Sequence, residues 1–108
     1  ELYSSYKYRS DFIQKYIFPG GFLPSINVLT QVISNNGLNI EVKKSFAKDY
    51  AKTLSIWREK FIFNWEIISK EKHFNENFKR MWEYYLSYCE AGFLSGSTDV
   101  HQILLNKQ

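Results

Sequence analysis

Six large side chains, Tyr50, Leu54, Trp57, Phe61, Trp65 and Ile68, recur in steps of four and three, drawing one unbroken stripe along a helix. At 3.6 residues per turn such a stripe occupies one face, and its apolar area must be taken out of water. The spacing predicts a single helix running through Ile68. A second stripe follows a polar break at residues 70–73: Phe74, Phe78, Met81, Tyr85, Cys89 and Phe93. A chain with these two stripes is built around aromatic helices, and its other elements must fit about them.

The flanks read differently. Residues 5–17 set Tyr6, Phe12, Ile13, Tyr16 and Ile17 at helical spacing, with Lys7, Arg9 and Lys15 between them. Pro19, Gly20, Gly21 and Pro24 must end that helix, because proline lacks a donor and glycine frees the backbone. Ser25 is placed to cap a helix carrying Ile26, Leu29, Val32 and Ile33, which Asn36-Gly37 would stop in a left-handed turn. From Leu38 the period falls to two. Leu38, Ile40 and Val42 alternate with Asn39, Glu41 and Lys43, predicting a strand with one buried face. A turn at residues 95–98 precedes an apolar run at 100–105, which suits an interior strand of a larger sheet.

Four helices and two strands make an α/β chain, yet two strands alone form a marginal sheet. Sequence outside this chain, a second copy, or helical wrapping would have to complete it, and the first is the expectation. A start at Glu1 rather than Met agrees with a piece cut from something longer. No repeat, low-complexity tract or linker divides the 108 residues, so one domain or part of one is expected.

Composition narrows the function classes. Aromatic residues make up 19% of the chain, which implies either a thick aromatic core or a surface that handles apolar ligands. The net charge of +3 is mild and no Lys or Arg run exceeds two residues. A dedicated nucleic-acid binder is therefore not expected, although Arg58, Lys60, Lys79 and Arg80 could form a patch. Cys89 is the single cysteine, with no partner for an internal disulfide or a metal-ligand pair, and it suits a reducing, cytoplasmic compartment. No apolar stretch approaches about 18 residues and no charged-then-apolar leader is present, so neither a membrane span nor a signal peptide is expected.

Taken by spacing alone, each chemical candidate is weak. His73 lies in a polar break and reads as a surface histidine; His101 falls in a predicted strand and reads as structural. Glu83 and Glu90 lie two turns apart on one helix, a common solvated arrangement. Cys89 without a nearby His is more often a small buried residue than a nucleophile. Gly20-Gly21 is no dinucleotide fingerprint, since no G-x-G-x-x-G follows a strand. The stripes carry more information. Helical stripes are usually core, but Tyr50, Tyr85, Tyr88 and Cys89 set polar atoms among apolar ones, as the walls of ligand pockets do.

Three segments carry a resemblance: DFIQKYIFPGGFLPS at residues 11–25, DYAKTLSIW at 49–57, and RMWEYYLSYCEAGF at 80–93 leading into DVHQ at 99–102. In wording, order and spacing they resemble the cyclopropane-fatty-acid and mycolic acid cyclopropane synthase family, over nearly the whole chain. The match is thinnest at residues 62–77, where only a helix-break-helix outline is similar. The resemblance implies the C-terminal part of a Rossmann-like, S-adenosylmethionine-dependent methyltransferase. Residues 38–46 and 100–105 would be its last two strands, flanking helices that shape an acyl-chain pocket, and the cofactor site would precede Glu1.

It further implies transfer of a methylene unit to the double bond of an unsaturated phospholipid acyl chain, with peripheral membrane contact and no metal. In that chemistry the alkene takes up a methyl group, and a bound bicarbonate then removes a proton as the ring closes. Tyr50 matches the tyrosine that orients bicarbonate. Leu54, Tyr85, Cys89 and Phe93 match acyl-pocket positions. The fragment alone would be inactive, and its exposed strand edges would favour self-association. A free-standing helical module that binds acyl chains or a protein partner without catalysis is the competing expectation.

Overall fold

The computed structural model describes residues 12–19 and 21–108, which divide between two compact units. The first takes in the chain up to Ser45 together with His101–Gln108, and the second is Phe46–Val100.

In the first unit a single π-helical turn spans Ile13–Ile17, closed by Phe18 N–H donating to the Ile13 carbonyl at 2.7 Å. Of the helix predicted over residues 5–17, the stretch from Ser5 to Asp11 lies outside the described residues. The turn ends before Pro19, where a helix cannot continue. Gly21 N–H then donates to the Phe18 carbonyl at 2.9 Å, and a Cβ on Gly21 would lie 2.9 Å from that same oxygen. Only glycine fits there.

The helix α1, Ile26–Asn35, begins as the sequence predicts. Ser25 Oγ accepts from Val28 N–H at 3.2 Å, satisfying one of the first-turn donors. Gly37 follows its end with φ +78°, the left-handed stop. The strands β1, Leu38–Ser45, and β2, His101–Lys107, pair antiparallel as a two-stranded sheet. Ile40 faces Leu105 and Val42 faces Ile103, and the register shifts between Val42 and Lys44. Lys43, at that irregularity, reaches back to Glu41 at 3.0 Å. Gln108 N–H closes the far end on the Gly37 carbonyl at 3.0 Å. Helix α1 packs on β1.

Both predicted strands form with shifted ends: β1 stops at Ser45, and β2 starts at His101 and runs past Leu105 to Lys107. Phe46 and Val100 lie outside them and bond to each other instead, Phe46 N–H donating to the Val100 carbonyl at 2.9 Å. The interior setting expected for the second strand is not found among the described residues, because β1 is its one neighbour and every β2 residue is exposed.

The second unit is a helical pair. Helix α2 spans Ala47–Phe63, a short α3 spans Trp65–Ile68, and α4 spans Glu76–Ser95. The single helix predicted through Ile68 is thus broken. Asn64 ends α2, its side-chain amide donating at 2.8 Å to the Lys60 carbonyl that also accepts its own N–H at 3.0 Å. The predicted helix at Phe74 starts later. Asn75 is the cap, accepting from Phe78 N–H at 3.0 Å, and Phe74 sits just outside with its ring 4.6 Å from that of Phe78. Gly96, at φ +80°, terminates α4.

Helices α2 and α4 pack along their stripes. Ala51, Leu54 and Leu86 are the buried residues of the described chain. Burying each leucine contributes about 1.5–3 kcal/mol. Aromatic rings extend the seam toward one end, where Phe61 and Trp65 meet Phe78 at centroid distances of 6.4 Å each.

Candidate functional site: the α2–α4 seam

The five residues singled out by the sequence converge on this seam. Tyr50 stands in the first turn of α2 with Leu54 one turn on, while Tyr85, Cys89 and Phe93 climb α4 at steps of four. Tyr50 and Phe93 meet across the seam with ring centroids 5.1 Å apart. Trp57 presents an edge to Tyr50 at 6.0 Å and 81°. Leu54 is 3% exposed and forms the floor; the other four are half-buried.

Polar tips cluster among these apolar groups. Burial pushes the Tyr85 phenol up to about 12 from 10.0, helped by the neighbouring Cys89, by their side-chain hydrogen bond, and by the charge Tyr50 would carry. A phenol is already neutral at physiological pH, and here burial extends that neutral range upward. The same coupling puts Cys89 and Tyr50 each within electrostatic reach of Tyr85. Trp82 closes over Tyr85 edge-on at 5.1 Å and 80°. No group of three or more His, Cys, Asp or Glu able to hold a metal ion occurs among the described residues. Such a surface can orient an anion or a polarised group through phenolic hydrogens while keeping water from an apolar neighbour.

Other candidates fall elsewhere. His73 is exposed, and His101 Nδ1 lies 2.8 Å from Ser45 Oγ across the ribbon, a structural cross-strand contact. An open surface depression of about 350 Å³ beside Tyr88, Gly92 and Thr98 includes none of the five residues. The sequence reading of Glu90 as one of a solvated pair is corrected. Its side chain is only 20% exposed and its Oε1 accepts from Arg58 Nη2 at 3.1 Å. The signal was present: Arg58 lies four residues beyond Leu54 and Glu90 four beyond Leu86, so opposite charges share the phase of the buried stripes. That pairing, with Lys79 set 5.9 Å over the Trp65 ring, also engages two of the four cations considered for a basic patch. No helix among the described residues is long and apolar enough to cross a membrane.

Comparison with known proteins identifies the family. Residues 2–103 match the sequence profile described as mycolic acid cyclopropane synthetase. The chain is 43% identical over 103 residues to the tuberculostearic acid methyltransferase of Mycobacterium tuberculosis, covering 94% of this chain and 24% of that protein. It is 36% identical over 95 residues to the cyclopropane-fatty-acyl-phospholipid synthase of Escherichia coli, covering 88% and 24%. Against cyclopropane mycolic acid synthase 1 of Mycobacterium tuberculosis the identity is 34% over 98 residues, covering 89% and 33%. The chain spans a quarter to a third of the length of these relatives. With a profile match over nearly its whole length and these relatives, this chain belongs to the mycolic acid cyclopropane synthetase family.

Proposed function

We propose that the chain supplies the acyl-chain wall and one anion-orienting hydroxyl of an S-adenosylmethionine-dependent methyltransferase that builds a cyclopropane ring on an unsaturated fatty-acyl phospholipid. The observation that carries this reading is the convergence of Tyr50, Leu54, Tyr85, Cys89 and Phe93 on one seam, with polar tips held among apolar groups. The chain would be the C-terminal part of a single Rossmann-like domain and inactive alone, with peripheral contact to the membrane holding its substrate.

S-adenosylmethionine would supply the transferred methyl group. The described residues do not fit as its holder. Between β1 and α2 lies Phe46 alone, with no glycine turn, and the one carboxylate of β1, Glu41, is tied to Lys43. The methyl donor would be held by the rest of the complete protein. Bicarbonate suits Tyr50 better, because its hydroxyl has no hydrogen-bond partner among the described residues and phenols donate readily to anions. Leu54 and Phe93 would keep water from the reacting carbon, and the ring of Phe93 would favour positive charge near its face.

The test is a mass spectrum of cellular fatty acids from a host without its own synthase, expressing the complete open reading frame. Unsaturated chains heavier by one methylene, shown to be rings after derivatisation, would establish the reading. Methyl-branched products would favour a second outcome, transfer without ring closure, which the 43% identity to a protein described as a methyltransferase recommends. An unchanged profile from folded protein would move the assignment to the non-catalytic helical module. In the active enzyme, Tyr50→Phe should lower turnover by roughly tenfold or more while leaving cofactor affinity nearly unchanged. Equal loss of both would remove the orienting role.

A further inference from the structure

The α2–α4 seam is largely apolar and aromatic, and among the described residues a charged hydrogen bond crosses it, the Arg58–Glu90 pair at 3.1 Å. Apolar contact is non-directional, and rings tolerate sliding past one another. A charged hydrogen bond does not. The pair stands between the two ends of the seam, with Tyr50 and Phe93 on one side and Phe61, Trp65 and Phe78 on the other. It is partly withdrawn from water, with side chains 35% and 20% exposed, and Arg58 Nε is buried with no hydrogen-bond partner of its own. A slip of one helical turn, about 5.4 Å, would part the charges and leave both half-buried without a partner.

We infer that Arg58 and Glu90 are positioning residues that set the register of α2 against α4, and so hold Tyr50 opposite Phe93 and beside Tyr85. The inference rests on the proposed role of Tyr50 for its catalytic consequence, though not for its structural one. Cys89 provides a direct gauge of the structure, since it lies on the seam beside Glu90.

The experiment uses the complete enzyme with Arg58→Gln, Glu90→Gln, and the charge exchange Arg58→Glu/Glu90→Arg. Peptide-resolved alkylation of Cys89 should quicken several-fold in both single variants and return toward the parent rate in the exchange. Charge alone would move the two singles in opposite directions, since losing Glu90 favours the thiolate and losing Arg58 disfavours it. Opposite shifts, or no shift, would overturn the inference. Turnover should fall roughly tenfold in each single variant at nearly constant substrate KM. In a Tyr50→Phe background the further fall should vanish, because the pair acts through Tyr50. A full, additive loss in that background would sink the link to Tyr50. If the parent enzyme modifies no lipid, the functional reading fails, while the alkylation result still decides the register.

Discussion

The helical pair and the strand ribbon both carry apolar side chains and bury them very differently. Ala51, Leu54 and Leu86, all in the helical unit, are buried, whereas Ile103, Leu104 and Leu105 of β2 are 39%, 41% and 44% exposed. A helix satisfies its own backbone groups and asks only for one partner to cover its stripe, which the other helix of the pair supplies. A two-stranded ribbon leaves both outer edges unpaired, and a strand apolar on both faces needs cover on each. Helix α1 packs on β1, while every residue of β2 is exposed. The composition of β2 therefore calls for neighbours beyond those described, in keeping with the larger sheet proposed for the complete protein.

That contrast is most easily broken by paired truncations in the 108-residue chain. Leu54→Ala should cost about 3 kcal/mol through lost burial and a residual cavity. Leu104→Ala should change stability by less than about 0.5 kcal/mol, as exposed positions do. Urea denaturation followed by far-ultraviolet circular dichroism measures both, and equal costs would end the distinction. In the complete protein Leu104→Ala should become the costlier kind if β2 is covered there.

A smaller effect is expected at the end of α4. Gly96 sits at φ +80° with nothing within 4 Å of an added Cβ, so Gly96→Ala should cost about 1 kcal/mol by conformation alone. Gly92→Ala differs in mechanism, because its Cβ would stand 3.0 Å from Thr98 Oγ1. Trimming Thr98 to Ala should relieve the second substitution and not the first, a comparison that thermal melts can read.

A further effect is confined to alkaline pH. The Tyr85 phenol is raised from 10.0 to about 12 in the fold, mainly by burial, so the folded chain holds a proton that the unfolded chain releases between those values. Its contribution is complete below pH 10 and is lost as pH rises toward 12. Tyr85→Phe should flatten that fall, and the tyrosinate absorbance of the parent should show one phenol titrating late. A phenol titrating normally would mean that the seam is wetter than described.

Local structure was legible because its causes are local. Ser25 and Asn36-Gly37 bound α1 through hydrogen bonds and backbone freedom within a few residues, and the alternation from Leu38 sets a strand for the same reason. The two places where the pattern misled, Asn64 and Asn75, are asparagines whose side chains bond to nearby backbone groups, Asn64 donating to the Lys60 carbonyl and Asn75 accepting from Phe78 N–H, at helix ends that periodicity alone does not mark. The grouping of the five site residues rested on wording shared with a family, since no spacing within one helix says which residue of another it will face.

By itself the sequence determined the caps, the two stripes, the alternating strand and the family, all of which follow from neighbours along the chain. The tertiary structure alone decided that Tyr50 meets Phe93, that the Tyr85 phenol is pushed upward beside Cys89, and that Glu90 is a half-buried partner of Arg58. Those outcomes depend on which faces pack and how much water they exclude, and burial, not residue type, sets the energy of a charge or a hydroxyl.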